Sequence, residues 1–279
     1  MIPIQTNSFE NAFNMMRFRF KTSSTVRTGT WQGVSTEKRP ELAMRELFNV
    51  VLGLDLCSVE DLDKYRADIR PNLPWADDHF EERVGRQPLN PGKTWEYWPY
   101  AQSADTFRDS AGQFNHSYME RFWPKYADAA LAKTGGKYDP QDAEWLMLNC
   151  GIRGAYGDLD DVVALLEKDP LTRQAYFPIF FPEDTGVGDG GRKPCTLGYH
   201  FILRAGRLHI VYHMRSCDYI RHLRDDCYLA VRLLLWVLNE LRKRNRFWNV
   251  VTPGEYTMTM TSLHMFANDW HAIFSKEQV

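Results

Sequence analysis

The stretch that decides the reading runs from Pro194 to Asp226, PCTLGYHFILRAGRLHIVYHMRSCDYIRHLRDD. Within it, Leu197–Arg204 and Leu208–Met214 are two strand-like runs joined by Ala205-Gly206, which is a hairpin pattern. The second run leads into Met214-Arg215-Ser216-Cys217-Asp218. A long amphipathic-to-buried helix then spans Asp226–Lys243 and closes on Arg242-Lys243-Arg244, with basic residues where the helix dipole favours them. A hairpin followed directly by such a helix points to the α/β (α+β) class.

The flanking segments extend this picture in both directions. Pro182–Pro194 (PEDTGVGDGGRKP) has the Gly/Asp content of a surface loop. Ala175–Phe181 reads as a buried strand, and its internal Pro178 places it at an edge or a bulge. Asp160–Lys168 is a helix opened by acids and stopped at Asp169-Pro170. Asp139–Cys150 suggests a short helix, and Pro71–Thr94 reads as loop. Pro40–Leu52 (PELAMRELFNVVL) has Leu42, Leu47, Val50 and Val51 roughly on one helical face and is expected to be a helix carrying Glu46. Tyr256–Thr261 alternates and is expected to be a last core strand. With no repeat and no linker, residues 1–279 are expected to form one domain with one large mixed sheet flanked by helices.

Composition narrows the function classes. The 279 residues are 44% hydrophobic, 25% charged and 14% aromatic, which is ordinary for a globular chain and too aromatic for disorder. A net charge of −2 and the lack of a basic–aromatic stripe argue against a nucleic-acid coat. The longest apolar stretch, Tyr228–Leu238, is broken by Arg232 and too short for a membrane span, and the first residues lack a secretory pattern. A cytoplasmic protein of a bacterium or a phage-infected cell is expected. The five cysteines, at 57, 150, 195, 217 and 227, contain no CxxC pair, so neither a metal knuckle nor a disulfide framework is expected.

Several residues can carry chemistry, each beside a plainer explanation. Cys195 sits at a loop–strand junction beside Arg192 and Lys193, cations that would lower its pKa; a buried inert thiol is the alternative. Arg215-Ser216 at a strand end offers a guanidinium fork and a hydroxyl to a phosphate, or a surface salt bridge to Asp218. Asp225 and Asp226 can act as helix caps, and His264 can be structural.

Taken together, Pro194-Cys195, the hairpin, RSxD and the polar helix start resemble the thymidylate synthase family. Cys195 lies twenty residues before Arg215 and thirty-one before Asp226. Glu46 in MREL resembles the family's catalytic glutamate helix, and Gly112–Tyr118 its active-site tyrosine segment, with Tyr118 the tyrosine. Asp169–Arg173 resembles the turn that lends an arginine, here Arg173, to the phosphate site of the neighbouring subunit. Arg27-Thr28-Gly29-Thr30 resembles the phosphate-binding arginine loop, and Trp95 and Trp98 in Trp95-Glu96-Tyr97-Trp98 the tryptophan pair near folate, with Asp218 also on the folate side. The resemblance runs from about residue 27 to 270 and is dense over 160–268. It implies a homodimer joined through a sheet face, a pyrimidine nucleoside monophosphate substrate, 5,10-methylenetetrahydrofolate as co-substrate and no metal.

Departures from the family carry information. The family has asparagine where this chain has Asp226. An amide donates and accepts once each and matches uracil, whereas a carboxylate only accepts and matches the cytosine amine and a protonated N3. Asp226, and Thr196 in place of the usual histidine after the cysteine, resemble the dCMP/CMP hydroxymethylase branch. Phe266 stands where a sugar-binding tyrosine is usual, leaving His264 for the sugar, so a ribonucleotide remains open. Gln174 replaces the second of two arginines. The resemblance thus implies a cytidylate 5-hydroxymethylase. Its phosphate rests on Arg215, Ser216, Arg27 and the neighbour's Arg173, and Asp226 orients the base. Cys195 adds to C6, Glu46 and Tyr118 manage protons and water, and water completes the product. Only fifteen residues follow His264, a short lid that favours water over hydride. The alternatives are a C5-methyltransferase acting on dUMP or dCMP, and a non-catalytic nucleotide-binding protein.

Overall fold

The computed structural model describes residues 1–27, 29–31, 34–101, 105–127, 156–185 and 192–275. Strand β1 (Ile2–Thr6) leads to helix α1 (Phe9–Ser23), capped where Ser8 Oγ accepts from the Asn11 N–H. Short strands β2 (Thr25–Arg27), β3 (Thr30–Trp31) and β4 (Val34–Ser35) precede the long strand β5 (Met44–Asp55). Helices α2 (Leu62–Ile69), α3 (Trp75–Val84), α4 (Tyr118–Phe122) and α5 (Leu159–Lys168) follow. Strands β6 (Tyr176–Pro178), β7 (Thr196–Arg204) and β8 (Arg207–Asp218), helix α6 (Leu223–Arg244), strand β9 (Thr252–Phe266) and helix α7 (Ala267–Phe274) complete the order.

The main sheet is mixed and has the order β1-β5-β9-β8-β7-β6, with β2 also paired to β5. β1–β5 and β8–β9 are parallel, while β5–β9, β7–β8 and β6–β7 are antiparallel. Its buried face carries Ile210, Tyr212, Met214, Tyr256, Met258 and Met260, and α6, which packs on β8 and β9, buries Leu234, Val237 and Leu238. Burial of this apolar surface is the main term holding helix to sheet. On the other face Ile202, Val211, His213, Thr257 and Thr259 are only half-buried.

The hairpin is as the sequence suggests, with Ala205 and Gly206 both at positive φ (49° and 73°), the geometry of a turn that matches strand twist. β6 is an edge strand, which tolerates its proline. The expected helix over Asp160–Lys168 is α5, whose Asp158 and Asp161 form a reciprocal capping box. The final strand is longer than expected on both sides and includes His264 itself. The expected helix at Asp139–Cys150 lies outside the described residues.

Two expectations fail. Pro40–Leu52 is not a helix: a 3-10 turn at Pro40–Leu42 gives way to β5, and Glu46 lies on this strand. The misleading spacing has a physical origin. Asn49 adopts φ 57°, and around it the buried set switches from Leu47 to Val50, Leu52 and Leu54. A strand whose alternation breaks once imitates an i, i+3 helical stripe. The same break recurs alongside, between Met260 and Leu263 in β9 and between Met214 and Cys217 in β8, so three neighbouring strands bend together. Pro71–Thr94 is not merely loop either, because it contains α3. That helix buries His79 and Arg83 beside Trp75, Phe80 and Val84, so polar residues occupy its inner face and blur the apolar pattern.

Candidate active site

The loop before β7 delivers Cys195 to one wall of a cavity that Tyr118, Ser216, Cys217, Asp218 and Asp226 also line. Arg215 fixes this loop. Its backbone N–H donates to the Cys195 carbonyl at 2.9 Å, its Nε to the Pro194 carbonyl at 2.8 Å and one Nη to the Lys193 carbonyl at 2.7 Å. The same nitrogen stands 3.9 Å from Cys195 Sγ. The thiol is half-buried, and burial pushes its pKa up, with Arg215 and then Arg192 opposing. The expected lowering by its loop cations therefore does not appear, because desolvation outweighs them.

Beneath the nucleophile candidate lies a hydroxyl cluster. Thr196 Oγ1 is 2.8 Å from Tyr212 Oη and donates to Tyr118 Oη at 3.2 Å. Burial pushes the Tyr118 phenol well above its usual range, with the Cys195 and Asp226 charges adding to the effect.

Asp226 sits in the first turn of α6 and faces the cavity instead of capping the helix. Burial raises its carboxyl to about 7, opposed mainly by the charge of Arg83. Its Oδ2 lies 3.8 Å from Cys217 Sγ, and among the described residues no N–H donates to it. Its neighbour Asp225 is satisfied by the Asn72 N–H and Nδ2, each at 2.8 Å. Asp218 is buried and holds the Ile220 and Arg221 N–H groups at 2.8 and 3.0 Å, so it shapes the turn into α6 as well as lining the cavity.

Ser216 Oγ is 3.3 Å from His264 Nδ1, and His264 pairs across the sheet with Glu46. Glu46 accepts from Ser262 Oγ. Glu46 and His264 do not line the cavity; His264 is one strand and Glu46 two strands away from Ser216. Arg173 is exposed and away from the cavity of its own chain. Arg27 ends β2, and its side chain lies outside the described residues.

An aromatic wall closes the other side. Trp95 and Trp98 both line it with ring centroids 4.9 Å apart, joined by Trp75, which the sequence did not single out. His79 stacks on Trp75 at 4.7 Å and His222 on Trp98 at 5.1 Å. Burial holds both histidines neutral, at about 4. The indole N–H groups of Trp75, Trp95 and Trp98 are buried and find no acceptor among the described residues. Such orphaned donors around flat faces suit a planar heterocycle bearing acceptor atoms. Among the described residues no cluster of metal-ligating side chains forms, and no helix is long and apolar enough to cross a membrane.

Sequence reasoning also missed His79 and Arg83 of α3. They lie more than a hundred residues from Cys195 and reach the site only because α3 packs on α6. Their only sequence signal is the i, i+4, i+8 spacing of Trp75, His79 and Arg83.

No family model matches the chain. Over 121 residues it is 26% identical to a protein of Methanosarcina barkeri described as "Putative thymidylate synthase", covering 43% of this chain and 51% of that one. The chain thus spans about half the length of that curated relative. Its structure is similar to the thermostable thymidylate synthase A from Bacillus subtilis, with TM-score 0.63 and 13% identity over 98% of this chain and 83% of that one.

Proposed function

We propose that this chain, whose large mixed sheet and flanking helices have the thymidylate synthase fold, is a one-carbon transferase that hydroxymethylates C5 of a cytidine monophosphate, dCMP or CMP. The observation that carries the base assignment is Asp226, an acceptor-only side chain in the same cavity as Cys195 and with no N–H donor among the described residues. A cytosine amine and a protonated N3 supply what it lacks, and an unpaired buried carboxylate is costly.

In this reading the Cys195 thiolate, held beside Arg215, adds to C6 and makes C5 nucleophilic. Asp226 holds the proton on N3, the electron sink. 5,10-Methylenetetrahydrofolate, held at the tryptophan wall, would give C5 its one-carbon unit; loss of the C5 proton would then expel tetrahydrofolate to leave an exocyclic methylene, water would add to it, and the Cys195–C6 bond would break to release the product. The Tyr118–Thr196–Tyr212 hydroxyls relay the C5 proton and order the attacking water, with Glu46 acting through Ser262 and the His264 row. Ser216 and Arg215 take the phosphate, joined by Arg27 and by Arg173 of a second copy. His264 orients the sugar.

The experiment is tritium release from C5-labelled dCMP, CMP and dUMP with methylenetetrahydrofolate, followed by product mass. Release from a cytidylate with a hydroxymethyl product supports the reading; preferential release from dUMP overturns it. One observation favours a second reading, C5-methylation of dUMP. A carboxyl at about 7 is partly protonated near neutrality, and the acid form offers one donor and one acceptor, which uracil matches. The share of dUMP turnover would then grow as pH falls through 7.

A further inference from the structure

Arg83 is a cation with 4% of its surface exposed, in a cavity wall that the proposed chemistry leaves unused. A buried guanidinium is tolerated only where something fixes it and something balances it. The fixing is visible as a chain of contacts. Arg83 Nε donates to His79 Nε2 at 3.0 Å, which makes Nε2 the unprotonated nitrogen and puts the ring proton on Nδ1. His79 Nδ1 lies 3.1 Å from Thr94 Oγ1, and Thr94 passes its own proton toward Glu82, whose other oxygen takes the Thr94 N–H at 3.1 Å. The guanidinium lies over the Tyr118 ring, 4.1 Å from its centroid. Held from two sides, it makes no ion-pair contact with a carboxylate and no hydrogen bond through its terminal nitrogens among the described residues. Its charge is free to act across the cavity.

Asp226 lines the same cavity and likewise makes no ion pair among the described residues. The groups around that carboxyl are Arg83 from α3, Asp225 from its own helix, and Cys217 and Asp218 from β8. Cys195 and Tyr118 line the same cavity, and Tyr199, Tyr212, Cys227 and Tyr256 are buried groups that also feel its charge. Arg83 is the cation that acts on this carboxyl; Arg192 and Lys193 line the same cavity on the Cys195 side, and burial keeps His79 and His222 neutral.

We propose that Arg83, anchored by the Glu82–Thr94–His79 chain, is a positioning residue that sets the charge state of Asp226 and so the pH range in which the site accepts its base. This rests on the reading of Asp226 as the base-facing group, but its test does not need turnover. The test is an infrared difference titration of the free, full-length protein, following the C=O stretch of a protonated carboxyl assigned by its loss in Asp226→Asn. In Arg83→Gln the Asp226 midpoint should rise by about one pH unit or more, and in Arg83→Lys it should stay within a few tenths of the wild type. The pH dependence of kcat/KM for the preferred nucleotide should move with it. If Arg83→Gln does not fold, His79→Gln, which removes the anchor and keeps the charge, should raise the midpoint by a smaller, measurable amount. An unchanged midpoint in whichever of these two variants folds overturns the proposal. A moved midpoint in a protein that turns over no nucleotide leaves it standing and sinks the enzymatic reading instead.

Discussion

Cys195, Arg215 and Asp226 could be located from sequence because one hairpin and one helix start carry all three, so their spacing survives without knowledge of the fold. Replacing Cys195 by Ala should lower C5 tritium release by about a thousandfold or more, because among the described residues Cys195 is the thiol held beside Arg215 at the cavity wall. Cys217, the other cavity thiol, has its pKa pushed far up by burial. Asp226 yields a prediction about stability. Its carboxyl moves from 3.8 to about 7 on folding, so between those values the native state holds a proton that the unfolded chain releases. Stability is therefore lost as pH rises through this window. Asp226→Asn should unfold at higher urea than wild type at pH 8, by on the order of 1–3 kcal/mol, with little difference at pH 4. The same variant should shift base preference toward dUMP by roughly ten- to a thousandfold, measured as the ratio of kcat/KM values. What the sequence hid at this scale is Arg83 and His79. A polar residue on a helix reveals its environment only when the helix that covers it is known.

At the scale of elements, the bend shared by β5, β9 and β8 explains both a success and a failure. It sets Glu46, His264 and Asp218 in one row, with Ser216 opposite Ser262 two residues along, so residues distant in sequence meet on adjacent strands. It also breaks the alternation that would have announced β5 as a strand. Asn49 makes this legible in hindsight, because asparagine is among the few non-glycine residues that accept a left-handed backbone. Asn49→Val should cost roughly 1–3 kcal/mol in urea unfolding, while Asn49→Gly should change stability by less than about 1 kcal/mol. At the hairpin, Ala205 holds φ 49° in a position that suits asparagine, so Ala205→Asn should raise stability by about 0.5–1 kcal/mol. The α3 segment failed for the opposite reason: its buried face is partly ionic, and hydrophobic periodicity cannot see that.

At the scale of the whole molecule, the sheet packs α6 on one face and leaves its other face half-buried, with Arg173 exposed on the turn after α5. The proposed homodimer would use that face and carry Arg173 into a neighbour's phosphate site. Mixing Cys195→Ala with Arg173→Ala chains, each weak alone, should then recover about a quarter of wild-type activity, since half the dimers would hold one intact site of two. No recovery would place Arg173 outside the neighbour's site. The central claim is that Cys195 attacks C6 of a cytidylate, and mass spectrometry of the protein incubated with 5-fluoro-dCMP and methylenetetrahydrofolate tests it most directly, because fluorine cannot leave C5 as a proton would. The account predicts a stable covalent mass gain on the peptide carrying Cys195, absent in Cys195→Ala; an unmodified Cys195 at saturating nucleotide would contradict it.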